Sequence, residues 1–151
     1  MPESRFIQPL CLRLLPFGSE SYAQALCLRD EVLRKPLGHS VYEDDRSGEP
    51  QCWHLGAYAG DRLIGTLMLV PLDARTVQMR QVAVAPAAQG QQVGTRLVRY
   101  AETFARGEGI CTIVLHARQT AVSFYQKLGY AVSGSGFTEV GIPHLPMQKE
   151  L

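Results

Sequence analysis

Apolar residues along this chain fall into helical spacing in three stretches and into compact β-type runs elsewhere. Residues 11–17 are short and apolar, broken by Arg13 and closed by Gly18-Ser19, and they predict a first strand. From Tyr22 to Leu33, the positions Ala25, Leu26, Leu28, Val32 and Leu33 fit one helical face, with Ser19 or Ser21 as N-cap. Pro36 and Gly38 stop that helix. Residues 39–51 are polar, acidic and punctuated by Gly and Pro, and read as a loop with at most one helical turn. Residues 52–59 and 62–72 are β-rich and flank Gly60-Asp61, a dipeptide suited to a tight hairpin. A third run, 76–84, stops before Pro86. Gly90 to Gly94 opens the strongest amphipathic stretch, with Val93, Leu97, Val98, Ala101 and Phe104 on one face and an end at Gly107 or Gly109. Residues 110–115 are continuously apolar, as in a strand covered on both faces. Residues 120–128 predict a short helix, with Gly129 at the C′ position that favours a left-handed residue. Two more strands are expected at 130–133 and 145–149. The order β-α-β-β-β-α-β-α-β-β predicts a mixed α/β sheet.

Composition narrows the classes of partner. With 151 residues and no repeat, low-complexity tract or long linker, one domain over residues 1–151 is expected. Hydrophobic residues at 46% and charged residues at 19% fit an ordinary globular protein, not a disordered one. A net charge of +1 with scattered arginines gives no electrostatic case for nucleic acid or an anionic membrane surface. Cys11, Cys27, Cys52 and Cys111 form no CxxC pair, and no histidine cluster has ligand spacing. No metal is expected, and the thiols read as reduced and mostly buried. Neither a signal-peptide pattern nor an apolar run near the ~18 residues of a membrane helix is present, so a cytoplasmic location is expected.

The chemistry concentrates where strand 76–84 meets the amphipathic helix. A strand there runs into the loop Gln89-Gly90-Gln91-Gln92, and the loop opens a helix at Val93. The first amides of a helix lack internal acceptors and lie at the positive end of its dipole, which suits a pyrophosphate. Gly90 and Gly94 remove Cβ atoms that would hold phosphate oxygens away. A simple turn would carry the same glycines. A nucleotide P-loop is excluded because its lysine is missing, and a GxGxxG fingerprint is absent, so a Rossmann-like nucleotide binder does not fit.

This segment resembles motif A of the GNAT family of N-acetyltransferases: Gln or Arg, two residues, Gly, one residue, then Gly or Ala. Gln89 and Gly94 match its ends, and Gln92 stands where the family has its middle glycine. Residues 118–130 are similar to the second hallmark of that family, with Ala121, Tyr125, Lys127, Gly129 and Tyr130 in register and Arg118 where many members have asparagine. The tail, with Gly141-Ile-Pro-His144 followed by Met147, looks like that of a GNAT subgroup ending in a GIPH segment. Together these matches run from Gln81 to Met147.

The resemblance implies a mostly antiparallel mixed sheet with splayed central strands flanked by helices. It implies acetyl-CoA as co-substrate and a small-molecule or peptide amine as acceptor, and it is compatible with a homodimer. Val82, Ala83 and Val84 would pair with the pantetheine arm, and Gln89, Gly90, Gln91, Gln92, Val93, Gly94 and Thr95 would surround the pyrophosphate, with Arg118 and Tyr125 also contacting the cofactor. Tyr125 would be the general acid: expelling a thiolate calls for a proton donor, and a phenol with a pKa of about 10 keeps its proton at neutral pH. Glu139 and His144 are the candidate bases for the acceptor amine, with His116 and the acidic loop Glu43-Asp44-Asp45 as further options. Residues 141–144 also read as a rigid turn, and the acidic loop as an attraction site for a cationic acceptor or as solvated surface. Cys111 in its strand has no histidine neighbour and makes a poor nucleophile. The second reading, motivated by Gln92 and Arg118, is an inactive acyl-CoA-binding sensor or partner-binding module.

Overall fold

A computed structural model describes residues 9–151. Eight strands form one sheet: β1 Leu10–Leu14, β2 Trp53–Ala59, β3 Arg62–Pro71, β4 Thr76–Val84, β5 Thr112–Arg118, β6 Ala131–Val132, β7 Phe137–Glu139 and β8 Ile142–Glu150. Their spatial order is β1-β2-β3-β4-β5-β8-β6, with β7 also pairing β8. Every pairing is antiparallel except β4 with β5. Three helices cover the sheet: α1 Glu20–Arg29, α2 Val93–Gly107 and α3 Val122–Lys127.

Local chemistry accounts for these boundaries. Ser19 caps α1, its hydroxyl accepting the Tyr22 amide at 3.2 Å. Beyond Arg29 the helix widens, and the Lys35 N–H bonds the Asp30 carbonyl, an i→i−5 closure that periodicity alone does not announce. Helix α2 buries Val93, Leu97, Val98 and Ala101 of the predicted stripe and adds Glu102 and Ala105, whereas the predicted Phe104 is only partly buried and packs edge-on against Trp53.

Several expectations are corrected. The first strand stops at Leu14, because Pro16 turns the chain and its carbonyl receives the Ser19 amide. Strand β5 begins two residues later than expected and buries one face: Ile113, Leu115 and Ala117 point inward, while His116 is exposed. The cysteines are not mostly buried, since Cys11, Cys27 and Cys111 are exposed and Cys52 is intermediate. The last strand begins at Ile142, so His144 lies within it, and a short hairpin partner, β7, precedes it. Pro146 lies inside the expected stretch and is accommodated there. The Pro146 carbonyl accepts the Ser133 amide, so its missing N–H falls on the side where β6 and β7 leave a gap, and the β5 ladder is undisturbed.

The register also shows where the sheet opens. Strands β4 and β5 pair only from Thr76↔Thr112 to Met79↔Leu115, yet β4 runs on to Val84 and β5 to Arg118. Beyond Met79 they diverge. On the other side of β4, Thr66 pairs Ala83 while Met68 pairs Arg80, so one extra residue is inserted opposite Leu67. Gln81, with φ +57°, is in the left-handed region at this bulge, which bends the strand away from its neighbour.

Candidate active site

The divergence opens a cleft of about 430 Å³ lined by both strands, the end of the α1 region, α3 and the β7–β8 hairpin. Register settles which groups share a face. Lys149 lies opposite Ile113 and reaches Glu102 of α2 at 3.1 Å, so Ile113, Leu115 and Ala117 face α2. His116, Arg118 and His144 then lie on the opposite face, joined by Phe137 and Glu139 through the β7 register. Tyr125 sits on the α2 side, because Phe124 packs near Gly94 and Tyr130 bonds Glu102. Tyr125, His144, Glu139, Arg118 and Val82 all line the same cleft, which therefore passes through the sheet.

At one end of β4 stands the N-terminus of α2. The amides of Gly90 to Thr95 have no backbone acceptor among the described residues, and the first amide bonded is that of Arg96, to the Gln92 carbonyl at 3.0 Å. No side chain caps this end and no acidic residue stands in the first turn. Amides so arranged suit an anion. Gln92 occupies the left-handed region, φ 68° and ψ 12°, the conformation for which the motif uses glycine. Its side chain therefore strains the turn, but the amides still open outward. At Gly94 a Cβ would lie 3.4 Å from the Phe124 ζ carbon, an ordinary contact, so anything larger than a methyl there would press on the α3 aromatic. Gln89 and Gln91 use their side chains to brace the loop, donating to the carbonyls of Val84 at 3.1 Å and Ala87 at 3.3 Å. The Val84 carbonyl is thus already occupied. Val82 remains at the cleft wall, and Ala83 is buried and pairs with Thr66 of β3.

Tyr125 is 8% exposed, and burial raises its hydroxyl pKa to about 12. Among the described residues the hydroxyl has no hydrogen-bond partner, and its ring is held edge-on between Phe124 and Tyr130. It is a fixed, protonated donor. Tyr130 is also driven upward, by burial first and then by the Glu102 carboxylate it donates to at 2.9 Å.

Across the cleft His144 is buried, its Nδ1 lying 2.7 Å from the Ile142 carbonyl. A carbonyl only accepts, so Nδ1 carries a proton and the neutral ring keeps its lone pair on Nε2. Phe137 stacks on this ring at 5.9 Å and meets His116 edge-on at 4.8 Å. Glu139 is exposed at the mouth and bonds His116 Nδ1 at 3.0 Å. The two candidate bases are thus different in kind, one enclosed and the other engaged with a second histidine. The acidic loop is less free than its composition suggests. Asp44 pairs with Arg34 at 3.1 Å, and Asp45 caps the Ser47 amide, which lowers its pKa. Cys111 is exposed and lies outside the cleft lining.

Some of the site escapes sequence reading. A second cavity of about 360 Å³ adjoins the first, sharing Arg34, Arg80 and Gln81, and its far wall is a buried network. There Arg29 donates two bonds to the Glu49 carboxylate, at 2.9 and 2.8 Å, and Tyr22 adds a third at 2.6 Å. His54 reaches the Glu49 carbonyl at 2.9 Å, and burial lowers its pKa. Glu49 and Arg29 lie 20 residues apart in segments with no shared motif, and only the fold joins them. Phe137 and the Gln81 bulge left no sequence signal either.

Among the described residues no helix is long and apolar enough to cross a membrane, and no cluster could hold a metal ion. The family model described as "Acetyltransferase (GNAT) family" matches residues 20–130. YjcF of Bacillus subtilis (strain 168), named as an uncharacterized N-acetyltransferase, is 29% identical over 134 residues, spanning 88% of this chain and 95% of its own. A Lactobacillus plantarum protein assigned to the N-acetyltransferases superposes with TM-score 0.85 at 28% identity, over 94% of this chain and 98% of its own. A GNAT acetyltransferase from Elizabethkingia anophelis, solved with acetyl-CoA bound, gives TM-score 0.71 at 18% identity over 94% and 98% of the two chains.

Proposed function

The chain belongs to the acetyltransferase (GNAT) family and is an acetyltransferase, and from that premise we propose that it moves an acetyl group from acetyl-CoA directly to a primary amine in a ternary complex. The observation that carries this reading is the conjunction of an uncapped α2 N-terminus with a cleft holding Tyr125 on one wall and His144 on the other. The diphosphate of CoA rests on the amides from Gln91 to Thr95, and the pantetheine arm follows Val82 into the gap that β5 vacates. Gln89 and Gly90 shape the loop, and Arg118 borders the thioester end. One domain, residues 1–151, suffices for this machinery.

In the reaction the amine nitrogen attacks the thioester carbonyl carbon, the C–S bond breaks, and the electron pair leaves on sulfur. The Tyr125 hydroxyl hydrogen-bonds that sulfur and gives it a proton as the thiolate develops, then regains one from solvent; burial disfavours the phenolate, which keeps the hydroxyl protonated until the sulfur calls on it. His144 Nε2 takes the proton the amine loses, and Glu139 with His116 passes it to solvent at the mouth. The test is Tyr125→Phe with stopped-time assay of CoA release. A loss of roughly 10²-fold or more in kcat, with the acetyl-CoA dissociation constant unchanged, supports the acid role. Unchanged kcat would remove it.

A further inference from the structure

The acceptor side of the cleft carries a sign that the acidic loop conceals. Four arginines border the two adjoining cavities: Arg29, Arg34, Arg80 and Arg118. Arg29 is neutralised by Glu49 and Arg34 by Asp44. Arg80 and Arg118 have no ion-pair partner among the described residues, and both line the reacting cavity. The one carboxylate in that cavity, Glu139, is engaged with His116. Beside Arg80, Gln81 lies at the left-handed bulge, lines both cavities, and buries an Oε1 with no hydrogen-bond partner. Left-handed backbone at a non-glycine residue and an orphaned buried acceptor each cost free energy, and their coincidence at the junction of two cavities marks a place built for a ligand.

We propose that the acceptor is an amine bearing an anionic group, that the Arg80 guanidinium holds the anion, and that Gln81 Oε1 accepts an N–H or O–H of the same molecule. This deepens the proposed reaction and rests on it. The carboxylates of the second cavity are engaged, Glu49 with Arg29, Asp44 with Arg34 and Asp45 with the Ser47 amide, so a polycationic acceptor would meet the Arg80 guanidinium, whereas a carboxylate or phosphate would give it charge-assisted hydrogen bonds. Arg118 adds to the same field from the opposite strand. The bulge is what makes the arrangement available, since it brings consecutive residues, Arg80 and Gln81, to the walls of both cavities instead of opposite faces of a regular strand.

The experiment has two stages on the intact chain. Calorimetry with acetyl-CoA first establishes that the cofactor binds, and failure there removes the acetyltransfer mechanism itself. Initial rates are then compared for amino acids, their carboxamides, O-phosphoethanolamine and the polyamine spermidine. A kcat/KM for a carboxylate or phosphate amine some 10- to 100-fold above its neutral or cationic counterpart is expected, carried mainly by KM. The carboxylate and phosphate arms identify which anion is preferred. Arg80→Gln should collapse that ratio toward one while leaving acetyl-CoA affinity in place, and Arg80→Lys should restore part of it. Preference for spermidine, or an Arg80→Gln ratio equal to the parent's with CoA still bound, overturns the proposal.

Discussion

Replacing Glu49 with Gln tests the buried network behind the second cavity. Arg29 is 2% exposed and Glu49 5%, so the pair is effectively desolvated. Burial alone would raise the Glu49 carboxyl pKa, but the Arg29 and Tyr22 hydrogen bonds and the Arg29 charge outweigh it and hold the pKa below the usual range. Gln keeps the shape, removes the charge, and leaves a buried guanidinium unpaired. Breaking such a pair from one side costs about 3–5 kcal/mol. For a chain of this size that is a fall in Tm of roughly 6–20 °C. Urea unfolding followed by circular dichroism measures it, with Arg29→Met/Glu49→Leu as the control that removes both charges and should recover much of the loss. The pair also fixes pH dependence. A carboxyl with a depressed folded pKa stabilises fully above its unfolded value and loses that contribution as pH falls through the folded one. The Glu49→Gln chain should therefore show a flatter loss of stability on acidification. A destabilisation under about 1 kcal/mol, or an unaltered acid limb, would refute the reasoning.

Gln92→Gly should stabilise the chain by up to about 1 kcal/mol, the relief of a left-handed residue less the added freedom of the unfolded state, read as a small rise in Tm with CoA affinity retained. His54, whose pKa burial lowers, contributes stability that is complete above the ordinary histidine value and declines as pH drops below it, so His54→Gln should weaken the pH dependence of Tm between about 5 and 7. Because the Tyr125 pKa is raised to about 12, the alkaline limb of kcat should not show loss of the acid near pH 10, and a limb centred at 10 would disqualify Tyr125.

The parts of this protein that were legible in its sequence are those held by local chemistry. Residues 89–95 announce a turn and an open helix end through Gly90, Gly94 and the Val93 stripe, and 118–130 announce the tyrosine helix. Ser19 as a cap and Gly60-Asp61 as a hairpin turn are equally local. What was not legible depends on pairing between distant segments. The hairpin of β7 and β8 turns at Val140-Gly141, both left-handed, and valine gives no hint of that conformation. The last strand starts three residues before the expected 145, carrying Pro143 opposite Thr138 of β7, and it holds Pro146 because that residue's missing N–H faces the gap between β6 and β7. The one-sided burial of β5 follows from the register that turns Ile113, Leu115 and Ala117 toward α2 and His116 away from it. Asp44 read as a free charge until the fold set Arg34 against it.

Binding of CoA at the α2 N-terminus is the claim on which the mechanism stands, and isothermal titration of the chain with CoA tests it most directly. Saturable one-to-one binding is expected, weakened when Gly94→Val drives a side chain into Phe124 and the helix end is displaced. A flat titration with the folded parent chain would contradict the account.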